Sequence, residues 1–537
     1  MKLFRHTERF GPPHMRTIRD YGIQICGAVA LLSMAVAMMS TPACAQLGAP
    51  AGGGGATAQA TQLPLSGRTN QGGAAATETP VPGTNASVNT LNPTVQVAGP
   101  YSGSANSTAK MAFSGKLSLQ EAVQRGLAYN LGAVGLTNTV SQSHAMTRIA
   151  RSALMPNVGG YLSETVEQTD LKALGLRFNF SVPGVSIPTV VGPFNYFDLR
   201  ANLTQTVADM TALNNYRAAN ETLRANQLSA QDARELVVLA VGGAYLQVIA
   251  AQARVVAQQS DLEAATRLYN QTKDMFTFGK VAQLDVNRSQ VQMLTQQQRL
   301  ITLRDDVAKL KINLARLVGL PPNADYQISS DVPFETAPAI ALDDALKQAF
   351  TKRADLQAAQ AAVTAAEKAR TAAKDEHLPS LAVSGNYGVI GVNPAQSHGT
   401  FTAAATLNVP IWNGGRTAGD IEEADATLAQ RRAELEDTKM QVESDVRNAF
   451  LDLQAAKDQV DLAKKNIELT QETLRQTRER FEAGATTNVE VVQSQESLAD
   501  ANLDYINSVF AHNLAKLSLA RAMGRGADSL EMFLKMQ

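Results

Sequence analysis

Apolar positions recur along this chain with two periods. Val241, Val248, Val255, Leu262, Tyr269 and Phe276 stand seven residues apart. So do Val446, Leu453, Val460, Ile467, Leu474 and Phe481, each 205 residues further on. A second seven-residue series, Ile421, Leu428, Leu435, Val442 and Ala449, precedes the latter, and Leu300, Val307 and Leu314 run beside Leu303, Leu310 and Leu317. A strict seven keeps one seam facing a neighbouring helix and supercoils it left-handedly. No proline falls between Pro193 and Pro321 or after Pro410, 127 residues in each case, so neither stretch has a proline break. Residues 210–275 are expected to form one helix about 100 Å long at its rise per residue.

Between the helical stretches the period changes to two. Phe197, Leu199, Ala201, Leu203 and Val207 alternate with Asp198, Arg200, Asn202, Thr204 and Thr206. Phe401, Ala403, Ala405, Leu407, Val409 and Ile411 alternate with Thr402, Ala404, Thr406 and Asn408. Their expected partners are residues 158–169 and 380–391, the latter alternating Leu381, Val383, Gly385, Tyr387 and Val389. About ten residues, apolar on one side and polar on the other, suit a strand of an outer-membrane barrel, and equally a half-buried soluble sheet. Export and the attached helices favour the membrane.

The whole pattern occurs twice. LSLQEAVQRGLAYN from Leu117 is echoed by IALDDALKQAFTKR from Ile340, and FTFGKVAQLDV from Phe276 by FEAGATTNVEV from Phe481. The offsets are 223 and 205, and the shortening falls in a loop carrying Pro183, Pro188 and Pro193, where length changes are inexpensive. The first repeat is set at 113–325 and the second at 326–525, with 526–537 as a tail. Four strands per chain cannot close a barrel, which needs about eight, and an open edge in lipid leaves backbone groups unsatisfied. Strands must therefore pair between chains, and an obligate oligomer is expected.

The N-terminus is of another kind. Arg16 and Arg19 precede an apolar run from Ile23 to Met39 that ends in Ala43-Cys44-Ala45, a secretory signal peptide over residues 1–45. Thr41 and Pro42 fit poorly with lipoprotein cleavage before Cys44. Cys26 and Cys44 are the only cysteines, so cleavage after Ala45 leaves no thiol chemistry. Residues 46–112, rich in Gly, Ala, Thr, Ser, Asn, Gln and Pro, hold only Arg68, Glu78 and Lys110 as charges and are expected to be a disordered leader.

Composition narrows the function. With 48 basic and 49 acidic residues the chain gives no electrostatic case for nucleic acid. The six histidines show no metal-ligand spacing, and AGGGGA near Gly52 lacks the strand–helix context of a phosphate loop. Neither an enzyme nor a cofactor is expected.

The duplicated openings, the Leu-Pro steps at Pro156 and Pro379, LNVPIWNGGR ending at Arg416, and the two FxxG turns at Gly279 and Gly484 resemble the TolC-type outer-membrane efflux family over nearly all of 113–525. The resemblance implies a mainly helical chain with membrane strands. Three copies would build a twelve-stranded β-barrel continued by a twelve-helix α-barrel across the periplasm. It implies a passive duct that meets a periplasmic adaptor and an inner-membrane pump. A periplasmic coiled-coil adaptor is the competing reading, but an adaptor should show one hairpin, and this chain has two.

The candidate site lies at the two turns. Gly279 and Gly484 interrupt the heptads as helix-ending residues do. Gly279, Val281 and Leu284, with Gly484, Thr487 and Val489, surround the tips and are expected to dock the adaptor. Asp285 and Glu490 occupy equivalent places. In the resembled family, acids at this level sit at the periplasmic constriction, so the pore assignment covers Asp285, Glu490 and Gln493. The alternative is a helix-end role, since Thr487 and Glu490 spell a T-x-x-E capping box and an acid in the first turn favours the helix dipole. Gln493 and Thr486 stand where that family can carry an acid and an arginine, so a charged latch is not spelled out. Trp412, just past the last strand, suits a membrane interface and, equally, a packing role at the strand–helix joint.

Overall fold

The computed structural model describes residues 74–81, 90–97, 99–105, 113–175, 188–329, 335 and 340–526. The signal peptide and the C-terminal tail beyond residue 526 lie outside them.

Each half of the body repeats one order of elements. In the first, β3 (Lys116–Leu117) leads into α1 (Leu119–Tyr129) and α2 (Leu131–Ser152). Strands β4 (Asn157–Asp170) and β5 (Val190–Ala208) follow, then a hairpin of α3 (Met210–Thr277) and α4 (Gln283–Leu317). In the second, β6 (Gln327–Ile328) precedes α5 (Leu342–Lys352) and α6 (Ala354–Asp375), strands β7 (Ser380–Gly391) and β8 (Ser397–Asn408), and a hairpin of α7 (Arg416–Glu482) and α8 (Asn488–Ala522). β3 and β6 pair in parallel, so the two halves share a short sheet. The 68 residues of α3 and 67 of α7 confirm unbroken helices of about 100 Å.

The seven-residue series falls on the packed side. Val241, Val248 and Val446 are fully buried, and Val460, Leu474 and Phe481 nearly so. The exception is Phe276, which is 41% exposed where its equivalent Phe481 is buried. The main core gathers Leu236, Val237, Val241 and Tyr245 of α3, Leu314 of α4, and Phe510, Leu514 and Leu517 of α8. One window of α3 is apolar and long enough to cross a membrane, but most of it is buried inside this core. A core helix and a membrane span share a composition, and burial separates them.

The four long strands form one antiparallel sheet in the order β4-β5-β7-β8. Its register places the expected faces together. Leu162 opposes Leu199, which opposes Val389, while Tyr387 opposes Phe401. On the other face Ser163 opposes Asp198, and Asn202 opposes Asn386, which opposes Thr402. Strand β8 ends at Asn408, short of the expected Ile411, because Pro410 has no N–H to donate. Residues 171–189 join β4 to β5, whereas 392–396 suffice for β7 to β8, which is where the first repeat is longer.

The leader departs from expectation. Strands β1 (Ala74–Val81) and β2 (Thr90–Val97) pair antiparallel, and a 3-10 turn spans Gly99–Ser102. Low-complexity sequence cannot build its own core, but this stretch borrows one: Val97 and the buried Tyr101 both pack against the main cluster. Composition alone reports what a segment can bury by itself, and misses burial against a preformed body.

Candidate functional site at the hairpin tips

Both hairpins turn by the same device. α3 ends with Phe278 and Gly279, where the Gly279 N–H donates to the Phe276 carbonyl at 2.8 Å and the Lys280 N–H to the Met275 carbonyl at 2.9 Å. In the second hairpin the Gly484 N–H donates to the Phe481 carbonyl at 3.0 Å and the Ala485 N–H to the Arg480 carbonyl at 2.8 Å. Every donor and acceptor is displaced by 205. The φ values of Gly279 and Gly484, 68° and 72°, are left-handed, and open space surrounds both positions. Backbone conformation, not crowding, therefore selects glycine.

The tips expose what the sequence singled out. Leu284 is 57% and Val489 38% exposed, Thr487 is exposed, and Val281 is half-buried. Phe278, absent from the sequence expectations, is 78% exposed at the apex of the first hairpin. Its counterpart in the second is Ala483, so the two tips differ in aromatic surface. An F-x-F-G run at a turn was the available signal.

Asp285 begins α4 half-buried and pairs with Arg288 at 3.7 Å, one turn along. Glu490 and Gln493 are both exposed on α8. The capping box expected of Thr487 and Glu490 does not form: the Thr487 side chain makes no capping bond. The Glu490 N–H donates instead to the Thr487 carbonyl at 3.2 Å. The threonine hydroxyl is not turned onto the helix start, while Glu490 still lies in the first turn of α8, where a carboxylate favours the helix dipole.

What joins the hairpins is a neutral amide. The Asn488 Nδ2 donates to the Asp285 carbonyl at 3.1 Å, and Asn488 is only 2% exposed. Above this link, Leu268, Leu474, Phe481 and Val491 form a small apolar cluster between the hairpins.

Higher on the body a polar groove of about 560 Å³ opens between α3, α4 and α8, lined by Arg254, Gln258, Arg299, Asp500 and Asn507. Arg254 bridges α3 to α8 by donating to Asn507 Oδ1 at 2.6 and 3.1 Å. Burial pushes the nearby Asp261 carboxyl up to about 6, opposed by Arg299 and reinforced by Asp500.

At the other end, Trp412 is 87% and Ile411 94% exposed just beyond β8, beside Leu407 and Val409. A buried ion cluster fixes the second repeat: Arg353 donates to Asp355 at 3.0 Å and to Asp445 at 2.8 Å. Burial opposes that guanidinium's charge, but its two carboxylates outweigh burial and raise its pKa above the usual range.

The sequence model of the outer membrane efflux protein family matches residues 138–320 and again 345–525, the two halves described above. The outer membrane protein TolC of Salmonella enteritidis is 23% identical over 388 residues, covering 70% of this chain and 75% of that protein. The probable efflux pump outer membrane protein TtgC of Pseudomonas putida is 22% identical over 423 residues, covering 76% and 83%. The crystal structure of the Campylobacter jejuni CmeC outer membrane channel shares the fold, with a TM-score of 0.66 at 17% identity over 84% of this chain and 94% of that one. With both halves matched in order and the same fold around them, this chain belongs to the outer membrane efflux protein family and is an outer-membrane protein.

Proposed function

We propose that three copies of this chain form a continuous outer-membrane efflux duct, a twelve-stranded barrel above a twelve-helix tunnel. The observation that carries this reading is the state of the protomer's borders. Among the described residues, β4 and β8 each pair on one side only, leaving two unsatisfied edges of 14 and 12 residues. Leu162, Tyr387 and Phe401 are 65%, 72% and 79% exposed on the apolar face. Pairing β8 of one copy with β4 of the next would satisfy the edges, turn that face to lipid and leave Asp198, Arg200 and Asn202 lining water.

The helices support the same closure. α4 packs chiefly on α3, and α7 on α8 and α6. These flanking helices expose apolar residues along their length: Val291, Leu294 and Ile301 on α4, and Met440, Leu451, Leu462 and Leu469 on α7. Joined border to border, the two stripes would cover each other.

In this duct the tips of both hairpins point away from the membrane and receive a periplasmic adaptor that links them to an inner-membrane pump. Gly279, Val281, Leu284, Gly484, Thr487 and Val489 form the docking surface, with Phe278 added. Asp285, Glu490 and Gln493 lie at the constriction, and Trp412 marks the membrane interface. The duct transports passively and performs no catalysis. Light scattering of detergent-solubilised protein should give about three times the mature chain's mass; a stable monomer that conducts no ions in planar bilayers would overturn the proposal.

A further inference from the structure

Residues Gly99–Ala105 precede the duplicated body, yet they are built into it. Tyr101 is 3% exposed and sits in the main core with residues of α3 and α8. Its carbonyl accepts from Asn130 Nδ2 at 2.7 Å. The Gly103 carbonyl accepts from the Leu131 N–H at 2.9 Å, and the Ala105 N–H donates to the Tyr129 carbonyl at 2.7 Å. The ring packs against the first turn of α2: a Cβ at Gly132 would collide with Tyr101 Cδ1 and Cε1.

The position is a junction. Asp232 of α3 and Arg521 of α8 pair at 3.3 Å, and both act electrostatically on Tyr101. Burial is the main reason its hydroxyl is pushed up to about 12. Just upstream, β2 runs beside both α3 and α8. The second repeat has no such socket: 223 residues after Asn130 and Gly132 stand Arg353 and Asp355, which bind each other. Among the described residues, the first repeat alone is cut to receive an outside ring.

We infer that Gly99–Ala105 is a strap, seated through Tyr101 in the Gly132 socket, that fastens the α1–α2 corner to α3 and α8 and so holds the two repeats together from outside both. The strap is distinct from the duct reading and stands or falls without it.

The test is a mutant cycle in the full-length protein, comparing Tyr101→Ala, Gly132→Ala and the double variant. Limited proteolysis reads cleavage within 99–105, and hydrogen exchange reads 232–246 and 510–521. Each single substitution should speed strap cleavage by about tenfold or more, because cleavage follows the population of the released segment. Exchange should rise in both core segments. The double variant should be no worse than Tyr101→Ala, since an alanine at 132 meets nothing once the ring is gone. Tyr101→Phe should behave as the parent. If Tyr101→Ala does not accumulate, Tyr101→Leu takes its place in the cycle. The strap is refuted if Gly132→Ala changes nothing, if its effect adds in full to that of Tyr101→Ala, or if exchange rises in the strap but not in 232–246 and 510–521.

Discussion

The side-chain amide of Asn488 reaches across from the second hairpin to the backbone carbonyl of Asp285 in the first, at 3.1 Å and almost out of solvent. That single hydrogen bond ties the starts of both descending helices at the end of the molecule furthest from the sheet. Asp285 keeps a second donor to the same carbonyl, Ser289 Oγ at 3.1 Å, so losing the amide does not orphan the acceptor. Asn488→Ala should therefore cost only about 1 kcal/mol, the net worth of one neutral hydrogen bond. The hairpins should nevertheless separate more freely. Cysteines placed at Val281 and Thr486 should crosslink more slowly in the variant; an unchanged rate would show that the apolar cluster around Phe481 alone sets the spacing.

Leu284 and Val489 test adaptor docking. Leu284→Glu with Val489→Glu adds charge to exposed positions that support no core, so the oligomer should assemble and reach the outer membrane in normal amount. Export should fall at least about tenfold, since a buried charge without a partner at a docked interface costs more than 1.4 kcal/mol. Export at the parent level, measured with normal outer-membrane abundance, would move docking away from the tips.

Glu490 makes no capping box with Thr487 but lies in the first turn of α8, so the pore and helix-dipole roles predict different variant behaviour. Glu490→Gln should shift the melting midpoint only slightly, because no capping bond is lost and only the charge at the helix start goes. Cation preference and block by divalent ions in planar bilayers should both weaken, as expected when a ring of carboxylates is neutralised. A shift in melting with unchanged ion selectivity would reverse the assignment.

Asp261 supplies a pH dependence. Its folded pKa of about 6 lies above the ordinary carboxyl value of 3.8. The folded state thus binds the proton more tightly, and stability gained by protonation is present at low pH and lost as pH rises through about 6. Because the group is partly solvated, the effect should be on the order of 1 kcal/mol. Asp261→Asn should raise the melting midpoint at pH 7.5 and flatten its slope between pH 4 and 6. An unchanged slope would place the titration elsewhere, with Asp500, also raised by burial, the next group to replace.

Features set by local pattern were legible in the sequence. The seven-residue series marked the packed seam because a helix cannot hold that period and bury another face. Gly279 and Gly484 marked the turns because only a left-handed residue ends a helix that way. Alternation in β5 and β8 identified both sheet faces, failing only where Pro410 ends the ladder. The features missed depend on distant parts of the chain meeting. Asn488 has no local signature that names Asp285 as its partner, and Tyr101 lies in a composition that signals disorder. Arg353 and Asp445 are separated by a complete strand pair. Thr487 and Glu490 show the opposite failure: the motif is present, but the side chain does not make the bond.

The unbroken α3 has a mechanical consequence. The helix is gripped by the core around Leu236 to Ala250, and from Val248 it runs on without a break for about 44 Å to Thr277, tied on the way by the Arg254 bridge to Asn507 and by the Leu268 cluster. The grip acts as a fulcrum. A tilt of roughly 10° there swings the end of the arm by about 8 Å, a distance comparable to the spacing of packed helices, without bending any hydrogen-bonded turn. A small tilt deep in the body would therefore be geared up at the tip, and the Arg254 bridge and the Leu268 cluster are the contacts that hold the arm against it.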